Sequence, residues 1–154
     1  MANKILLKGD PIAKEAEASG SITPGMLLDR NGSKIQAHGS TGGNAEALFA
    51  DMEDYVGEGI DTDYADADKV KFLFCRPGDE INALLTCGAT AYSIGDYLES
   101  DGNGYLKSYS APEFSGGDIS GSNQTIYSKA PVVQAIEATT GSTGSHDRIK
   151  VEVI

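Results

Sequence analysis

The clearest pattern in the chain lies at its end. In residues 148–154, RIKVEVI, Ile149, Val151 and Val153 alternate with Lys150 and Glu152, the period-two spacing of a strand with one face buried and one solvated. Residues 69–75, KVKFLFC, carry Val70, Phe72 and Phe74 on one side, and residues 81–89, INALLTCGA, place Ile81, Ala83 and Leu85 likewise. Between these two strands RPGDE spells a type II turn, with Pro77 at its first corner and Gly78 next. Upstream, the apolar run Met26–Leu28, a reversal at Asn31-Gly32 and a return over Ile35–His38 predict a hairpin. Residues 131–141, PVVQAIEATTG, supply a strand ahead of the last one.

A second hairpin competes with a cation site. Residues 95–106, GDYLESDGNGYL, gather Asp96, Glu99, Asp101 and Asn103. An EF-hand loop begun at Glu99 finds oxygen ligands at 101 and 103 and a glycine at 104, but its twelfth position is Ser110, which has no bidentate carboxylate. The flanks, YLES and YLKS, have no helical period, and the Asp-Gly-Asn-Gly joining them tolerates the positive φ of a tight reversal. A hairpin turn is the expectation, with no metal site.

Other stretches are less regular. In residues 45–56, AEALFADMEDYV, a helical stripe of Leu48, Met52 and Tyr55 competes with a strand; a strand at 46–52 followed by a loop is favoured. Residues 57–68, GEGIDTDYADAD, are acidic enough to be solvated or partner-facing, and 108–128, SYSAPEFSGGDISGSNQTIYS, read as a long polar loop or insertion. Residues 1–20 combine a basic, apolar NKILLK with an Ala/Glu-rich piece that has little apolar surface to bury, so an extended N-terminal arm is expected rather than a helix. Within it Lys4, Ile5, Leu6, Leu7, Lys8, Pro11 and Ile12 are the candidate partner-binding residues. A chain of 154 residues buries about 70% of its unfolded surface without staples. Nineteen glycines, abundant Ser and Thr and no Trp complete an all-β reading. The expected fold is a small barrel or sandwich-like β-domain over residues 21–154, with an extended arm at 1–20 and long polar loops.

Charge and chemistry narrow the function classes. Twelve basic against 23 acidic residues give a net charge of -11 and a pI near 4.4, a surface that repels phosphate backbones and anionic membranes. Nucleic acid and membrane are therefore not expected partners. The N-terminus lacks a secretion-type apolar segment, so synthesis in the cytoplasm with reduced thiols is expected, and Cys75 and Cys87 read as small buried hydrophobes in strands. GSTGG at 39 and GSTGS at 141 lack the phosphate-contacting lysine of a P-loop. His38 and His146 read as surface side chains without a neighbouring nucleophile, although His146 beside Asp147 could serve as a base. No catalytic residue and no cofactor is expected, and the protein is not read as an enzyme.

Five segments carry a resemblance: EGIDTDYADADKVKF, RPGDEINALL, IGDYLESDGNGYL, AIEATTGSTG and RIKVEVI, covering about residues 57–107 and 132–154. Their succession resembles the head decoration, or capsid cement, proteins of tailed bacteriophages. The resemblance implies a virion structural protein on the capsid exterior, binding the major capsid protein and itself as a homotrimer and clamping neighbouring capsid subunits. A ligand that prefers the assembled shell stabilises it by linkage, and trivalent contacts multiply weak affinities. A strand from the arm could add to a capsid sheet edge. Two alternatives stand beside it: a head–tail joining or tail component with a β-core, and a small ligand-binding β-barrel.

Overall fold

A computed structural model describes residues 3–88, 91–111, 131–141, 143–144 and 146–154. Its strands are β1 (Leu6–Lys8), β2 (Ile12–Glu17), β3 (Leu28–Asn31), β4 (Lys34–Ala37), β5 (Leu48–Ala50), β6 (Lys69–Phe74), β7 (Glu80–Leu84), β8 (Tyr97–Ser100), β9 (Leu106–Ser108), β10 (Val133–Ala135) and β11 (Arg148–Val153). One 3-10 turn, Asp54–Val56, stands after β5. The chain is all-β and its sheets are antiparallel, in the orders β1-β7-β11-β10-β8-β9, β2-β6-β5 and β3-β4.

Alternation decides how the sheets stack. On β11, Ile149, Val151 and Val153 are buried and cluster with Ile81 and Ala83 of β7, Val133 and Ala135 of β10, and Leu98 of β8. The register Ile149↔Ala83 and Val151↔Ile81 sets these side chains directly opposite one another, as one-face burial requires. Phe49 and Leu73 close this core from the three-stranded sheet, whose opposite face sends Leu48, Ala50, Val70 and Phe72 into a second cluster. Leu28 and Ile35 of the β3–β4 hairpin cover that cluster, together with Ile22 and Tyr64. The three-stranded sheet is thus the middle of a sandwich-like stack, buried on both faces along β5 and the middle of β6 but exposed along β2.

The turns follow the sequence chemistry. Gly78 takes φ +95° and the Asp79 N–H donates to the Arg76 carbonyl at 3.0 Å, closing the RPGD turn. The β3–β4 reversal passes through Gly32 at φ +61°. The expected strand at 46–52 shortens to Leu48–Ala50; just beyond it the Asp51 N–H still donates to Lys71 O at 2.9 Å, and its carboxylate accepts the Met52 N–H and pairs with Lys71, 3.1 Å away.

The separate arm over residues 1–20 is a correction. The segment is extended, but it is built into two sheets: β1 pairs with β7, and β2 pairs with β6 along its whole length, from Ile12↔Phe74 to Glu17↔Lys69. Asn82 donates its N–H to Ile5 O at 2.8 Å. The crossing between the sheets, Gly9-Asp10, is held by the buried Asp79, whose Oδ1 accepts the Asp10 N–H at 3.1 Å and whose Oδ2 accepts the Arg76 N–H at 2.8 Å. Gly9 is required there: its φ is +117°, and a Cβ would meet the Asp79 carboxylate and lie 3.1 Å from its Cα. Little apolar surface was visible because an edge strand is held by its backbone. The expected insertion at 108–128 lies mostly outside the described residues; Ser108 ends β9, and Tyr109 donates its N–H to Tyr97 O at 2.9 Å.

Candidate functional site

The candidate partner-binding residues divide sharply by exposure. Ile5 is fully buried in the larger core and is not presented to a partner, while Leu6, half-buried, packs against that core. Leu7 and Pro11 are half-buried, while Lys4 and Lys8 are exposed and Lys8 reaches Glu80 at 3.4 Å. Ile12, 43% exposed, opens β2. What the segment offers outward is therefore the edge of β2 and two lysines.

The direction of that edge can be worked out from its hydrogen bonds. The Ala18 N–H donates to Asp68 O on the β6 side at 2.7 Å, whereas the next residue, Ser19, donates the other way to Ile35 O at 2.7 Å. On β6, Lys71 O accepts from Asp51 and the Cys75 N–H donates to Ala47 O, so its odd-numbered residues serve the β5 side. Antiparallel pairing alternates by residue, and the even-numbered residues of β2 therefore bond β6. Ala13, Glu15 and Glu17 direct their N–H and C=O groups outward. Among the described residues β2 forms a ladder with β6 alone, while β4 closes the end of its other edge through the parallel bridge Ala18↔Ile35. Glu17 is also ion-paired with Lys34 of β4, which raises the pKa of that exposed ammonium.

A concavity lies elsewhere. A cleft of about 510 Å³ opens beside β7 and β11, with Asp61, Asn82, Glu137, Asp147, Arg148 and Lys150 in its lining. Its charges are committed to structure. Arg148, with its side chain 11% exposed, donates to Pro24 O at 2.8 Å, to Ile60 O at 2.7 Å and to Asp61 Oδ1 at 3.0 Å. Burial lowers its pKa and the Asp61 carboxylate opposes that effect. Gly25, at φ +91°, leaves room for this guanidinium, which a Cβ would strike. Lys150 pairs with Glu137 at 2.9 Å, and Asp147 Oδ2 accepts the N–H groups of Thr143 and Gly144 at 2.7 and 2.8 Å. Arg148 escaped sequence reasoning because most of its acceptors are backbone carbonyls, which leave no side-chain pattern.

The remaining candidates are also structural. Tyr97–Ser100 and Leu106–Ser108 form the expected hairpin, and Asp101 Oδ1 accepts the N–H groups of Asn103 and Tyr105 at 2.7 and 3.1 Å. The acidic loop is solvated yet anchored: Asp63 accepts from Thr23 Oγ1, and Asp66 from the Gly20 N–H. His38 is corrected from surface to core. It is 2% exposed, with Nδ1 at 2.8 Å from Ser100 Oγ and Nε2 at 3.1 Å from Asn44 O. A carbonyl only accepts, so Nε2 carries the proton and Nδ1 accepts the Ser100 hydroxyl. His146 is exposed. Cys75 is buried, and burial pushes its thiol up to about 12; Cys87, expected in a strand interior, is exposed in the loop after β7.

The chain has a fold similar to that of the N base of head fiber gp8.5 from bacteriophage phi29. The TM-score is 0.55 with 10% identity, and 93% of each chain is covered. No family model matches the sequence, and no curated protein is similar enough to match.

Proposed function

We propose that this chain is a structural protein of a bacteriophage virion that attaches to the head and has no reaction to perform. The observation that carries the reading is the fold likeness over 93% of both chains to a phage head-fiber base. It agrees with the resemblance of residues 57–107 and 132–154 to phage decoration proteins. The internal chemistry supports it too. Arg148, Asp101, Asp79 and Asp147 hold turns and sheet ends together, leaving the rigid scaffold that adhesion needs. The finer reading is a decoration role: the protein sits on the capsid exterior, contacts the major capsid protein, assembles as a homotrimer and clamps neighbouring subunits. Its acidic surface, at a net charge of -11, then faces solvent or a basic patch on the shell.

The likeness to a fiber base favours one further reading, an anchor for a longer appendage. Copy number separates the two, since a decoration protein approaches the count of the major capsid protein. The test is sedimentation of the purified chain with expanded and unexpanded heads of the phage that encodes it, with copies per particle counted by quantitative mass spectrometry. Saturable binding that prefers expanded heads supports the clamp. Absence from both pellets sinks the virion reading.

A further inference from the structure

We propose that Asn31 is a self-modifying position, where the Gly32 backbone nitrogen attacks the side-chain amide and converts it, without an enzyme, to aspartate and isoaspartate. The inference goes beyond the virion reading and does not depend on it. The sequence supplies two reactive pairs, Asn31-Gly32 and Asn103-Gly104. A glycine after asparagine has no side chain to shield its nitrogen or to restrict its rotation. The structure separates the two pairs. Asn31 and Gly32 are both exposed at the β3–β4 reversal, and beyond the chain neighbours nothing lies within 4 Å of where a Gly32 Cβ would stand. Among the described residues no group accepts the Gly32 N–H. Gly104 is buried instead: its N–H donates to His38 O at 3.2 Å and its carbonyl accepts the Leu27 N–H at 2.8 Å. The related Asp101-Gly102 step is also tied down, with the Gly102 N–H on Ser100 Oγ at 3.1 Å and Asp101 Oδ1 engaged by two backbone N–H groups.

The step balances with water as its one co-reactant. The Gly32 nitrogen gives up its proton and bonds to Asn31 Cγ; the Cγ–Nδ2 bond breaks, and ammonia leaves with a proton, closing a cyclic imide. Water then opens the ring at either carbonyl. Opening at Cγ restores the ordinary backbone as aspartate, and opening at the backbone carbonyl routes the chain through the side chain as isoaspartate. What holds Asn31 beforehand is slight: Nδ2 donates to Gln36 Oε1 at 3.1 Å and to Ser19 Oγ at 3.4 Å, both exposed, and neither bond restrains the Gly32 nitrogen. Both products lose these donors, because a carboxylate only accepts, and both add a negative charge to the net -11. Isoaspartate also lengthens the main chain beside a two-residue turn, whose length sets the register from Asn31↔Lys34 to Leu28↔Ala37. Modification therefore acts on the hairpin whose Leu28 and Ile35 cover the second cluster.

The test incubates the full chain, folded and in concentrated urea, at mildly alkaline pH. Residues 31 and 103 are followed by peptide mapping with mass spectrometry, and isoaspartate is identified by enzymatic methylation. In the folded chain residue 31 should convert about tenfold faster than residue 103, the order of margin that a backbone hydrogen bond and burial impose through local opening. In urea the two should convert at similar rates, because the hydrogen bond and the burial are gone. The rate at residue 31 should climb with pH, since the Gly32 nitrogen must shed its proton. Asn31→Gln, whose longer side chain closes a larger and slower ring, should fold and stay unmodified at that position. Equal rates at 31 and 103 in the folded chain, or faster conversion at 103, overturn the proposal. So does a folded chain whose residue 31 remains an amide while the urea sample converts, since the turn then protects the pair it was expected to expose.

Discussion

β2 and β11 are both six-residue antiparallel strands near opposite ends of the chain, yet only one announces itself. β11 lies between β7 and β10, and its side chains alternate between half-buried and buried without exception. β2 lies at a sheet edge, and five of its six residues are exposed. The difference is in which groups do the holding. β11 is fixed by a methyl-rich face against the core, which period-two spacing records. β2 is fixed by backbone bonds to β6, which any residue except proline can make. Alternation in a sequence therefore reports a covered face and says little about whether a strand exists.

The sharpest way to break this comparison is to delete residues 2–20. A free arm would come away with the domain's melting temperature unchanged. Instead the deletion removes β1 and β2, takes the fully buried Ile5 and Ala18 out of the two clusters, and bares the edges of β7 and β6. The expected loss is comparable to the whole stability of a small domain, about 5–15 kcal/mol. Circular dichroism on heating should show no cooperative transition. A transition within a few degrees of the intact chain would restore the arm.

The same contrast explains what could be read in advance. The RPGD turn was legible because Pro77 and Gly78 each have one conformational reason to stand there, and the 95–106 hairpin because Gly102 and Gly104 take φ of +94° and +83°. The core strands were legible from Val70, Phe72, Ile81 and Val151. Three features were not. His38 sits among glycine and serine in sequence, and only the fold brings Ser100 and the Asn44 carbonyl to its ring. Arg148 opens the best-marked strand, but its work is done on carbonyls of residues 24 and 60. The open edge of β2 is a property of strand order, and strand order is not written in any one segment.

A gentler test places one truncation on each strand. Val151→Ala removes two methyl groups from a fully buried position and should cost about 2–3 kcal/mol, the range for opening a small cavity in a packed core. Glu15→Ala on the exposed edge should change stability by less than about 0.5 kcal/mol. Denaturant midpoints of the two variants at equal m-value check both figures. Equal losses would mean that β2 is held by its side chains after all.

The smallest effect concerns how the β2–β6 ladder ends. Ala67 has φ +71°, the one positive value found away from glycine among the described residues. Its N–H donates to Ala18 O at 3.1 Å while the Ala18 N–H donates to Asp68 O at 2.7 Å, so this strained residue locks the turn from which β6 departs. A left-handed alanine costs about 1–2 kcal/mol, and a glycine at the same place gives back about 0.5–1 kcal/mol of that through its looser unfolded chain. Ala67→Gly should therefore stabilise the protein by about 0.5–1 kcal/mol, raising the denaturant midpoint without changing the m-value. A loss would show that the methyl group is held by contacts worth more than the strain, and that this end of the ladder, like β11, depends on side-chain packing.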